Sequence, residues 1–155
     1  MKIKILMVGK PANPHYAALA EDYVRRLRHY SAVEIEPVHP EKINSASARE
    51  VMEREAARLL DRLKPQDVCL ALDRSGSMWD SLGLAKKMDA WLQGGRKRLC
   101  LIIGGPLGLS DTVLQRSDQI LSLSAFTLAH ELALVVLLEQ LYRAFTILRN
   151  EKYHK

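Results

Sequence analysis

Cysteine is scarce, and its scarcity excludes two classes at once. Only two cysteines occur in the 155 residues. Cys69 and Cys100 each sit inside an apolar run, so they read as small core residues, neither a disulfide nor a metal pair. That usage fits a reducing compartment. Aromatic residues are only 6% of the chain, and no stacking platform for single-stranded nucleic acid is evident from them. No apolar run approaches the length of a membrane span. The opening Met1 to Gly9 is too short and too mixed for a secretion signal. A cytoplasmic protein with no membrane contact is expected.

Several motifs are missing as well. Gly105 is followed by Pro106 and no lysine, so there is no phosphate loop. No Gly-x-Gly-x-x-Gly fingerprint follows the first apolar run, and no Gly-x-Ser-x-Gly elbow occurs. His130-Glu131 opens like a zinc-protease helix, but the second histidine position holds Leu134. No metal site is expected.

What is present is an ordinary globular balance, 48% hydrophobic and 26% charged. One domain over residues 1–155 is expected, large enough to bury roughly 70% of its unfolded surface. The formal net charge of +5 permits an anionic partner such as RNA. The excess gathers at Arg25, Arg26 and Arg28, at Arg96 to Arg98, and at Arg149, Lys152 and Lys155. Each cluster alone also reads as a solvated face.

Apolar periodicity organises the chain into alternating strands and helices. Ile3 to Val8, Val33 to Val38, Val68 to Leu72, Leu99 to Ile103 and Ile120 to Leu123 read as strands. Tyr16, Leu19, Tyr23, Leu27 and Tyr30 recur at helical spacing. A second helix is capped by Ser45 or Ser47, a third by Asp80 or Ser81, and a short fourth by Ser110. The last runs from near His130 to Leu148. Leu132 to Leu138 leave it no polar face, so burial all round is expected, in part against another subunit. The pattern is α/β, with a mostly parallel sheet flanked by helices.

Parallel strands share one edge for their C-terminal ends, where ligands settle in α/β sheets. Three exits stand out: Leu72-Asp73, Ile103-Gly104-Gly105-Pro106, and Leu123 to Leu128. Small residues and main chain there suit a nucleoside-bearing ligand on an apolar floor.

The opening Ile3-Lys4-Ile5 with Val8-Gly9-Lys10, Tyr23 with Arg25-Arg26-Leu27, and Leu70 to Asp73 form an ordered set. It continues through Leu101 to Leu109, Leu121 to Ser124, Leu138 to Ala144, and the terminal Tyr153-His154-Lys155. Over essentially its full length the chain resembles the RlmH-type (YbeA-like) methyltransferases of the SPOUT superfamily. The resemblance implies a trefoil-knotted fold and a homodimer. It implies transfer of a methyl group from S-adenosylmethionine to N3 of a pseudouridine in 23S ribosomal RNA, in the large subunit or assembled ribosome. It places Leu72, Gly104, Leu123, Ser124, Ala125, Phe126, Thr127 and Leu128 on the cofactor, and Arg143, Tyr153, His154 and His130 on the substrate side. Many relatives have proline at Ala129 and arginine at Leu134. Those departures keep open the alternative of a non-catalytic, ribosome- or RNA-associated dimer.

Simpler readings stand beside these. Gly104 also reads as a plain turn, and Ser122 and Ser124 as groups that satisfy local backbone. His130 is structural or polarises the substrate. Arg143 pairs with Glu139 one turn earlier or faces the site. A protonated imide nitrogen needs a base or an electrostatic stabiliser, and Asp73, His130 and His154 are the candidates.

Overall fold

The computed structural model of the protein describes residues 1–43 and 47–154. Strands β1 (Lys2–Val8), β2 (Val33–Val38), β3 (Val68–Met78), β4 (Arg98–Ile103) and β5 (Gln119–Ser122) form one sheet. Its order is β2-β1-β4-β3-β5, and every neighbouring pair is parallel. Between them run helices α1 (Pro14–Leu27), α2 (Ala48–Leu60), α3 (Ser81–Gln93) and α4 (Asp111–Arg116), with α5 (His130–Leu148) last. The expected α/β architecture is the one found.

Strand side chains alternate between two cores. Ile3, Ile5 and Met7 of β1 and Leu99, Leu101 and Ile103 of β4 join a core shared with α1, α3 and α5. Leu6, Val8, Ala71 and Ile102 point the other way, against α2 and α4. Covering both faces is what makes these strands unbroken apolar runs.

The helix starts follow capping chemistry. Ser47 forms a reciprocal box with Glu50 at α2, Asp80 accepts the Gly83 amide at α3, and Ser110 caps α4. The alternative cap Ser45 lies outside the described residues. At α5 the N-cap Ala129 has no side-chain bond to offer. Glu131 instead reaches across to the loop before α1, accepting amides from Ala12 at 2.5 Å and Asn13 at 3.3 Å.

Two expectations need correction. First, β3 does not end at Leu72 in a polar loop. Leu72 and Ser77 both pair with Leu121, so residues 73–76 bulge outward and the strand resumes to Met78. Gly76 permits this: a Cβ there would lie 2.5 Å from the Ile120 carbonyl carbon. Second, α1 ends at Leu27, and Tyr30 packs from the following turn, its ring stacked at 5.3 Å on Phe145. Within one chain, α5 is covered on one side only. It packs between α1 and α3 with Leu134, Leu137, Leu138 and Leu141 fully buried, while Leu132, Ala133, Val135 and Val136 remain half-buried. Position 134 therefore faces the core of its own chain.

At the start of β4, away from the strand exits, Arg98 forks onto Asp67, with Nε donating at 2.7 Å. Burial raises the Asp67 carboxyl, but bonds from Arg98 and the Lys64 amide outweigh it and hold the group below the usual carboxylate range. Burial pushes the thiols up, Cys69 to about 11 and Cys100 to about 12. Both are inert core thiols at neutral pH, as their apolar surroundings imply.

Candidate active site

The bulge of β3 and the exits of β4 and β5 open into one hollow of about 960 Å³. Its floor is apolar, made by Ile103, Leu109, Leu114 and Leu121. Its walls are the β3 bulge, the loop after β4 and the segment after β5. Of the residues expected at a cofactor, Leu72, Gly104, Leu123, Ser124, Phe126, Thr127 and Leu128 line it. Ala125 belongs to the same segment but is exposed and does not line the hollow. His130, at the first turn of α5, lines it too, as does Asp73.

The loop after β4 is a tight main-chain device. Gly105 and Gly108 form an antiparallel bridge, the Gly108 amide donates to the Gly105 carbonyl at 3.0 Å, and Gly108 has φ +89°. A Cβ on Gly104 would stand 2.7 Å from the Gly108 carbonyl. Glycine is required at 104 by closure of the loop itself, before any ligand approaches. The serines also serve the backbone. Ser122 Oγ donates to the Ser124 carbonyl at 3.0 Å, and Ser124 Oγ accepts the Phe126 amide at 3.0 Å. That turn leaves Phe126 83% exposed at the edge of the hollow.

Two lining residues, Arg74 and Ser75, escape sequence reading because they sit on the β3 bulge. Asp73 Oδ1 accepts both the Ser75 amide at 2.9 Å and its hydroxyl at 2.6 Å. This Asx turn shapes the rim.

The other site candidates lie elsewhere. Arg143, Tyr153 and His154 do not line the hollow of their own chain. Arg143 is about 20 Å from His130 along the helix, at 1.5 Å per residue. There it forms a cluster around Glu139, whose Oε1 accepts from Arg143 Nε at 3.1 Å and the Tyr153 hydroxyl at 3.1 Å. The Arg143 guanidinium also lies 4.7 Å from the centre of the Tyr153 ring. Of the two readings of Arg143, the pairing with Glu139 is the one seen. Burial, then bonds to Tyr23 and Glu139, push the Tyr153 phenol well above its ordinary value and keep it protonated. His154 Nδ1 is buried without a hydrogen-bond partner among the described residues. Lys155 lies outside them.

Composition understated the aromatics here. Four of the five tyrosines gather at this end: Tyr142 packs edge-on against Tyr153 at 4.8 Å and Tyr30 at 6.0 Å, with Tyr23 tilted at 6.2 Å. Residues from distant parts of the chain meet there, and no count along the sequence registers that.

The residues at the hollow fit a nucleoside-bearing cofactor. The volume is that of a small-molecule site, the floor is apolar and the walls are rich in main chain. A family model described as "Predicted SPOUT methyltransferase" matches residues 1–154.

The chain belongs to the SPOUT methyltransferase family.

A relative from Anaeromyxobacter sp. (strain Fw109-5), named ribosomal RNA large subunit methyltransferase H, is 43% identical over 155 residues, all of both chains. Among solved structures, a probable methylase family protein from Haemophilus influenzae Rd KW20 superposes with a TM-score of 0.58 at 14% identity. That match covers 99% of this chain and 70% of that one. A Legionella pneumophila methyltransferase solved with bound cofactor SAM gives a TM-score of 0.53 at 16% identity, covering 93% and 66%. At such identities the structural likenesses show a shared fold alone. No helix of the described residues is long and apolar enough to cross a membrane.

Proposed function

We propose that this SPOUT protein transfers a methyl group from S-adenosylmethionine to N3 of a pseudouridine in large-subunit ribosomal RNA. The observation that carries the reading is full-length similarity to a ribosomal RNA large subunit methyltransferase H, joined to a main-chain-walled hollow at the strand exits. The work is cytoplasmic, where ribosomes are. Its trefoil knot is part of the same reading. The exits after β4 and β5 share one hollow, and α5 returns from it to the middle of a helical layer.

When bound, the cofactor supplies an electrophilic methyl on a sulfonium. The protein's own contribution is position. The floor of Ile103, Leu109 and Leu121 excludes water, and the Gly104 to Gly108 loop presents backbone groups that need no side-chain ordering. Asp73 and His130 are at the hollow and His154 is on the tail, so the proton on the imide nitrogen has an acceptor on either side.

A homodimer completes the site. The tail cluster stands too far from its own hollow, and the outer face of α5 at Leu132, Val135 and Val136 is apolar and half-buried. Pairing two chains across that face brings Arg143, Tyr153 and His154 of one to the hollow of the other.

Incubation with methyl-labelled S-adenosylmethionine and, separately, ribosomes, large subunits or transfer RNA tests the reading. Label at one pseudouridine of the large-subunit RNA is expected. Label on transfer RNA alone, or on none, overturns it.

A further inference from the structure

The cofactor hollow is poor in positive charge. Among its lining side chains, Arg74 is the only arginine or lysine. Yet the chain carries a net +5, and a second cleft, of about 510 Å³, gathers part of that excess. It lies between α1 and the last turn of α5 and is lined by Arg26, His29, Tyr30, Tyr142, Arg149 and Glu151.

Three features give this cleft a chemistry. Of its two guanidiniums one is fixed and one free, and neither is deeply buried. Arg26 is held by Asp22 at 2.7 Å, with its guanidinium 5.5 Å and 5.8 Å from the ring centres of Tyr23 and Tyr142. Arg149 and His29 are exposed, and Arg149 makes no ion pair among the described residues. Its aromatic wall is rigid: Tyr30 is stacked on Phe145, and Tyr142 is braced by Tyr153. Its one carboxylate, Glu151, accepts the Tyr30 hydroxyl at 2.6 Å. Guanidiniums beside ring faces suit a chain that alternates phosphate with flat bases, better than an acidic peptide, which offers charge without the flat surfaces.

We infer that the cleft between α1 and the end of α5 binds the sugar–phosphate backbone of single-stranded RNA flanking the methylated nucleotide. This rests on the proposed rRNA activity. The cleft shares Tyr142 with the Arg143 and Tyr153 cluster, so an RNA held there enters the composite site from the tail side. Phosphates sit toward Arg149 and His29, away from Glu151.

The test uses the full-length variants Arg149→Gln and Arg26→Gln beside the unmutated protein. Binding to large ribosomal subunits is measured directly across a salt series, together with turnover, cofactor affinity and sedimentation. Expected are an approximately tenfold weaker affinity for the subunits, and a plot of log affinity against log salt that is shallower by about 0.7 for Arg149→Gln, the step for one phosphate left without its cation. KM for subunits rises while kcat at saturation and cofactor affinity hold. Unchanged affinity and salt slope in both variants overturn the inference. So does a shift from dimer to monomer, which makes the cleft an interface between copies. Since binding is read without turnover, an unmutated protein that binds through Arg149 but methylates nothing counts against the proposed activity and leaves the cleft standing.

Discussion

The two ends of α5 are built on opposite principles. At its start, the hollow is shaped by main chain: a bridged glycine loop, an Asx turn, serines bonded to their own backbone, and an aliphatic floor. At its end, side chains do everything. Glu139 gathers Arg143, Tyr153 and Gln140, four tyrosines pack together, and Arg26 lies over two of their rings. A main-chain site tolerates side-chain change but not a change of path, whereas a side-chain site fails one residue at a time. The first suits a cofactor of fixed shape; the second suits a large, charged substrate.

The sharpest way to break this contrast is to remove the tail. Truncation after Asn150 deletes Tyr153, His154 and the Glu151 tie to Tyr30. Methyl transfer to ribosomal RNA is expected to vanish while calorimetry shows cofactor affinity unchanged. Full-rate methylation by the truncated protein would make the tail ordinary fraying and return the substrate contacts to the hollow.

The middle of α5 gives the next largest effect, in a paired experiment. Leu137 is fully buried within the chain, so Leu137→Glu buries an unpaired charge and costs about 3–5 kcal/mol of fold stability. Val136 is only half-buried. Val136→Glu is expected to leave the monomer folded but to lower its association, as read by sedimentation and circular dichroism. If Val136→Glu stays dimeric, another face joins the subunits and the route from tail to hollow needs redrawing.

Gly104→Val sharpens the other end. Its first clash is with the Gly108 carbonyl, so the loop must shift, at about 1–3 kcal/mol of overpacking. Cofactor affinity is expected to fall along with a melting temperature lower by several degrees, about 2–4 °C per kcal/mol at this size. Reduced affinity with an unchanged melting temperature would show that the loop absorbs the side chain and that the ligand alone feels it.

The smallest effect is in alkali and touches both ends' scaffold. Cys69 and Cys100 ionise near 9 when unfolded but only near about 11 and about 12 when folded. Groups raised in the folded state stabilise it fully below their unfolded value and lose that contribution as pH climbs through the folded one. Tyr30 and Tyr153, raised by burial and by carboxylate partners, act in the same direction higher up. The urea midpoint is expected to hold to about pH 8 and decline from about pH 9 upward. Cys100→Ala should flatten the early part of that decline, and an identical decline in the variant would remove the thiol from the account.

The amino-acid order by itself determined the alternating strands and helices, the buried parallel sheet and the exits after β4 and β5. These depend on local signals: apolar periods, caps such as Ser110 and Asp80, and the Gly104-Gly105-Pro106 turn. Seven of the eight expected cofactor residues line one hollow for the same reason, since parallel strands carry their exits to one edge. Tertiary structure alone decided the rest. The bulge at 73–76 depends on how closely Gly76 passes Ile120, an approach between strands distant in sequence. Which side of α5 is core was illegible because every residue from Leu132 to Leu138 is apolar, and only packing between α1 and α3 distinguishes Leu137 from Val136. The aromatic, basic end of the molecule was invisible too: Arg26, Tyr142 and Tyr153 come from separate parts of the chain, and an average over composition cannot register a cluster that folding creates.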